Sequence, residues 1–90
     1  MQYLKVTIYG KVQGVFFREA AKRKARELGL VGFVKNQEDG TVYLEAEGEK
    51  KILEKLLAWC YQGSETAEVE KVDYSYSSDL SGFYDFAIKN

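Results

Sequence analysis

The stretch Gly10-Lys11-Val12-Gln13-Gly14-Val15-Phe16-Phe17-Arg18 holds the residue types best suited to chemistry in this 90-residue chain. Two close glycines permit backbone conformations closed to other residues and let a ligand approach the main chain. A helical pattern starts at Phe17, and the first N–H groups of a helix have no partner within it. The helix dipole adds positive potential there, so loop and helix start together can form an anion nest for which phosphate is the usual guest. A cation in the first helical turn is mildly disfavoured by that dipole. Arg18 makes sense there if its guanidinium forks onto a bound anion. Read alone, the same loop also fits a tight strand-to-helix turn with Arg18 solvated.

The second stretch is Gly32-Phe33-Val34-Lys35-Asn36-Gln37-Glu38-Asp39-Gly40-Thr41-Val42. Asn36 offers an acceptor and two donors and keeps zero charge at every pH, so it could hold and aim a water molecule. A carboxylate in its place would repel an approaching phosphate. Asn at a strand end also serves turn geometry. Asp39-Gly40 reads as a hairpin turn, not as an acid or base.

Composition removes several alternatives. The chain has no histidine, which excludes Ser-His-Asp and Cys-His catalysis, a phosphohistidine and most zinc sites. Its single cysteine, Cys60, excludes an internal disulfide and points to a reducing compartment. Cys60 falls on a helical apolar face, where a thiol is usually inert. No Gly-Lys-Ser/Thr follows the glycine loop, so it is not a nucleotide P-loop. Thirteen basic against fourteen acidic residues leave a net charge of -1 and no global case for nucleic acid or a membrane surface. The run Lys22, Arg23, Lys24 and Arg26 is interleaved with Glu19 and Glu27, as on a solvated helix face. With 46% apolar residues, the chain is globular and not disordered. Its start, Met1-Gln2-Tyr3-Leu4-Lys5, lacks a secretory pattern, and no apolar run approaches membrane-helix length.

The elements that must position these stretches follow from periodicity. Strict alternation over Tyr3 to Tyr9, with Leu4, Val6 and Ile8 on one face, predicts a half-buried strand. Phe17, Ala20, Ala21, Lys24 by its stem, Ala25 and Leu28 keep a helical period up to Gly29, a C-cap glycine. Strands follow at Val31 to Asn36 and Thr41 to Glu47, joined by the Asp39-Gly40 turn. A second helix runs from Glu49 to about Tyr61, with Ile52, Leu53, Leu56, Trp59 and Cys60 inward. Val72, Tyr74 and Tyr76 mark a fourth strand, and Tyr84, Phe86 and Ile88 a short terminal one. The order predicts one α+β domain over residues 1–90, a ferredoxin-like split β-α-β-β-α-β sandwich. Its antiparallel sheet carries both helices on one face.

Taken together, Gly10-x-Val12-Gln13-Gly14-Val15-x-Phe17-Arg18 and Gly32-Phe33-Val34-x-Asn36-x-x-Asp39-Gly40-Thr41-Val42 resemble the two signature motifs of the acylphosphatases. These are small ferredoxin-like enzymes that hydrolyse the carboxyl-phosphate bond of acyl phosphates. The resemblance covers nearly the whole chain, including the ending Tyr84-Asp85-Phe86-Ala87-Ile88. It implies a phosphate cradle over Gln13, Gly14, Val15, Phe16, Phe17 and Arg18, acting through backbone N–H groups, with Arg18 binding the substrate and Asn36 positioning water. It also implies no metal, no other cofactor and no phosphoenzyme. The variable motif position carries Phe16, at the mouth of the site. Where many relatives have Gly-Pro after the second helix, this chain has Gly63-Ser64, a loop distant from both motifs in sequence.

The expected partners are therefore a small-molecule acyl phosphate and inorganic phosphate, with no nucleic acid and no membrane, for a cytoplasmic monomer. The competing class is a binding module without catalysis. RNA-recognition domains share the element order and stack bases on sheet aromatics, but here the aromatic pattern is incomplete. A phosphate-sensing domain that has lost catalysis is a further alternative, opposed by the presence of both Arg18 and Asn36.

Overall fold

Period-2 and period-3.6 apolar patterns resolve into seven elements in a computed structural model, which describes residues 1–89. These are β1 (Gln2–Lys11), α1 (Phe17–Glu27), β2 (Val31–Asn36), β3 (Val42–Gly48), α2 (Lys50–Gln62), β4 (Glu68–Ser77) and β5 (Phe86–Lys89). The sheet order is β4-β1-β3-β2-β5. The first four strands pair antiparallel, as a split β-α-β fold requires. The terminal strand instead lies parallel to β2, pairing Gly32 with Phe86 and Val34 with Ile88. The sheet is thus mixed, because the chain after β4 crosses to the far edge and enters in the direction of β2.

The inward face of the sheet supplies Leu4, Val6, Ile8, Val34, Val42, Leu44 and Ala46 to the core, all essentially inaccessible to solvent. Ala21 and Ala25 of α1 and Leu53, Leu56 and Cys60 of α2 close over them. Small residues on α1 let that helix approach the sheet closely. Burial pushes the Cys60 thiol up to about 12, as its position on the apolar face implies.

Boundaries differ from the sequence pattern where the sheet edge changes the rules. β1 runs past Tyr9 to Lys11 because a register shift between Tyr9 and Gly10 lets it stay paired with β4 after its pairing with β3 has ended at Ile8. β4 begins at Glu68, well before Val72; it is an edge strand whose charged residues hide the alternation. β5 begins at Phe86, and Tyr84 is fully exposed outside it.

The outer face is covered in part by the chain between β4 and β5. The buried Glu47 carboxylate accepts hydrogen bonds from the Ser81 N–H and the Gly82 N–H. That fold-back lays the Phe83 ring against Tyr3 (6.2 Å) and Phe33 (5.8 Å between ring centres). At the other edge, the Arg26 guanidinium donates to the Phe86 carbonyl and pairs with Asp85 at 3.0 Å. This residue of the basic run therefore clamps α1 to β5.

Candidate active site

The loop between β1 and α1 owes its shape to two left-handed residues. Gly14 has φ 73°, where glycine is free, and Phe16 has φ 62° and ψ 24°, where a bulky side chain is strained. A left-handed residue beside the right-handed helix start turns successive N–H groups toward a common point, an anion-binding concavity. The first helical bond is donated by the Ala20 N–H to the Phe16 carbonyl. Among the described residues, the N–H groups from Gly14 to Glu19 make no hydrogen bond within the protein. Phe17 is buried and packs its ring on Trp59 of α2, 5.1 Å between centres, which anchors the start of α1.

The loop is braced on both sides. Gln13 Nε2 donates to the carbonyls of Gln37 (2.8 Å) and Thr41 (2.9 Å), tying the loop to the β2–β3 hairpin. The hairpin is itself internally bonded. The Gly40 N–H donates to the Gln37 carbonyl, and the Asp39 carboxylate accepts from the Thr41 N–H (3.0 Å) and hydroxyl (2.6 Å). These bonds hold the Asp39 carboxyl below the usual aspartate range, the Thr41 hydroxyl being the main cause. Asp39 is thus occupied with turn geometry, as its Asp-Gly setting implies.

Asn36 ends β2, directly before this hairpin. Its Oδ1 is buried and has no hydrogen-bond partner among the described residues. A buried amide oxygen left unpaired costs about 1–3 kcal/mol, which a donor reaching it would recover. Arg18 forms no ion pair or hydrogen bond among the described residues, which leaves its five N–H donors free. Both residues border one pocket of about 410 Å³ with Val12, Gly14, Phe16, Phe17, Glu19 and Ile88. Unpaired backbone N–H groups, a free guanidinium and a neutral orphan acceptor around one pocket suit a tetrahedral oxyanion with a water beside it.

The acylphosphatase family model matches residues 4–88 of the chain. The chain belongs to the acylphosphatase family. It is 49% identical over 85 residues to an acylphosphatase of Acaryochloris marina, covering 94% of this chain and 90% of the relative. It is 41% identical over 88 residues to one of Shewanella amazonensis, covering 98% and 97%. Among solved structures it is similar to acylphosphatase from Bacillus subtilis, with TM-score 0.97, 32% identity and full coverage of both chains. The ferredoxin-like α+β fold agrees with these acylphosphatases.

Of the residues singled out from the two acylphosphatase motifs, Gly14, Phe16, Phe17, Arg18 and Asn36 border the same pocket. Val15 is buried beneath the loop, and the Gln13 side chain turns to the hairpin, leaving only the main chain of both to face an anion. Among the described residues, no group of three or more His, Cys, Asp or Glu could hold a metal ion, and no helix is long and apolar enough to cross a membrane. Sequence reasoning missed the loop after α2. Far from being remote, Gly63 sits against the Phe17 ring, and Ser64 Oγ donates to the Val15 carbonyl at 2.6 Å. The 49 positions separating these partners left no local signal.

Proposed function

We propose that the chain hydrolyses acyl phosphates through the pocket bordered by Arg18 and Asn36. The backbone N–H groups of residues 13–18 and the Arg18 guanidinium bind the phosphoryl oxygens, and the Asn36 side-chain amide orients the attacking water by hydrogen bonding. The observation that carries this reading is that Arg18 and Asn36 border one pocket, with no partner among the described residues for the Arg18 guanidinium or for Asn36 Oδ1. Water attacks phosphorus opposite the bridging oxygen. The P–O bond to that oxygen breaks, and its electron pair leaves with the carboxylate. The water proton is released as the phosphate product forms.

Charge in this loose transition state spreads over three equatorial oxygens, so positioning and electrostatics carry most of the catalysis. A carboxylate of pKa about 4 leaves without a general acid, so a site without histidine suffices. Neither a metal nor another cofactor has a step to perform. The chain acts as one domain and as a monomer, and its single buried Cys60 suits the cytoplasm. The RNA-binding alternative is not favoured by family membership, and the packing of Phe83 on Tyr3 and Phe33 supports a covered outer face in place of a base-stacking platform. Hydrolysis of a synthetic acyl phosphate, with a chelator present and with inorganic phosphate as a competitive inhibitor, tests the reading. Absence of turnover overturns it, and activity lost to the chelator overturns the metal-free mechanism.

A further inference from the structure

We infer that Ser64, supported by Thr66, is a positioning residue for the phosphate cradle: its hydroxyl holds the Val15 carbonyl so that the Phe16 N–H faces the bound anion. The inference deepens the reading of residues 13–18 as the cradle and rests on it. Ser64 Oγ donates to the Val15 carbonyl at 2.6 Å, and Thr66 Oγ1 approaches the same oxygen at 3.3 Å. Ser64 is 9% exposed, so water competes little for this bond.

The Val15–Phe16 peptide is planar and trans, as are all peptide bonds among the described residues. Its C=O and N–H therefore point in opposite directions. Fixing the carbonyl toward the 63–66 loop fixes the Phe16 N–H away from that loop. Rotation of this peptide plane is the motion that would spoil the nest, and Phe16 has reason to rotate. Its left-handed conformation is strained for a phenylalanine that is 78% exposed and has little packing to hold it.

The 63–66 loop is rigid enough to serve as the brace. Gly63 caps α2 with its N–H on the Trp59 carbonyl at 2.7 Å. Its φ of 74° admits glycine readily, and a Cβ there would lie 2.8 Å from the Phe17 ring. The Ala67 N–H closes the turn onto the Ser64 carbonyl at 3.0 Å. A serine after Gly63 thus supplies the loop with a hydrogen bond to the cradle that a proline has no hydroxyl to make.

The experiment measures the inhibition constant of inorganic phosphate, the KM for a synthetic acyl phosphate and the thermal unfolding midpoint. The proteins compared are wild type, Ser64→Ala, Ser64→Thr, Thr66→Val and Arg18→Ala. Ser64→Ala is expected to raise the inhibition constant and KM together by about three- to tenfold, the loss of one hydrogen bond's worth of alignment. Ser64→Thr is expected to recover most of that loss, and Thr66→Val to cost less than Ser64→Ala. A lowered unfolding midpoint with both constants unchanged overturns the inference, because Ser64 is then only structural. An inhibition constant unmoved in Arg18→Ala instead overturns the cradle reading itself. Should Ser64→Ala not fold, titrating wild type with inorganic phosphate decides by amide NMR. The Phe16 amide is expected to shift with those of Phe17 and Arg18, and a stationary Phe16 amide among moving neighbours overturns the inference.

Discussion

In the proposed cradle of residues 13–18 the donors are mainly backbone N–H groups, whereas the end of β2 contributes one side chain, that of Asn36. The loop is held by distant elements: Gln13 docks on the hairpin, Phe17 on Trp59 of α2, and the Val15 carbonyl on Ser64. The β2–β3 hairpin is held by its own residues, Gln37, Asp39, Gly40 and Thr41 bonding to one another. Backbone donors have no side chain to adjust, so their direction depends on whatever fixes the peptide planes. An amide side chain at the end of a paired strand needs only a stable local turn. The first construction suits holding a spread of negative charge, and the second suits aiming one small neutral molecule.

Breaking each half separately should therefore give different kinetic signatures. Arg18→Ala removes the charged partner of the backbone donors and is expected to lower kcat/KM for a synthetic acyl phosphate by about a thousandfold or more, with weaker phosphate inhibition. Asn36→Ala is expected to lower kcat by about a hundredfold while phosphate inhibition stays within about twofold of wild type. Equal loss of turnover and phosphate affinity in Asn36→Ala would remove the division of labour. The effect of Ser64→Ala lies between these and the hairpin changes, since it misaligns one donor without deleting it.

The smallest effect concerns the hairpin's own bracing. Hydrogen bonds from Thr41 hold the folded Asp39 carboxyl below its ordinary value of 3.8, so they stabilise the fold above about pH 4 and lose that effect as pH falls through the folded value. Asp39→Ala is expected to lower the unfolding midpoint by a few degrees at pH 7. The gap from wild type should shrink in scans near pH 3. A gap that persists undiminished in acid would mean that packing, not the carboxylate, secures the turn.

The locally built half was the more legible in the sequence. Asn36 at a strand end, the Asp39-Gly40 turn and the alternation of Leu4, Val6 and Ile8 are short-range patterns. The structure places them where those patterns imply. The glycine spacing and Arg18 point to the proposed cradle, but the contacts that hold that loop lie beyond any local pattern. The Ser64 bond to Val15 spans 49 positions, and Glu47 reaches Ser81 across 34. β4 was read short because charged residues on an edge strand blur the period, and the direction of β5 depends on a crossing that periodicity does not encode.

The most direct test of water aimed at a cradled phosphoryl group is a single turnover in oxygen-18 water, with both products analysed by mass spectrometry. One solvent oxygen is expected in inorganic phosphate and none in the carboxylate, because attack at phosphorus leaves the bridging oxygen with the carboxyl group. Label in the carboxylate would place the attack at the acyl carbon and contradict the roles given to Arg18 and Asn36.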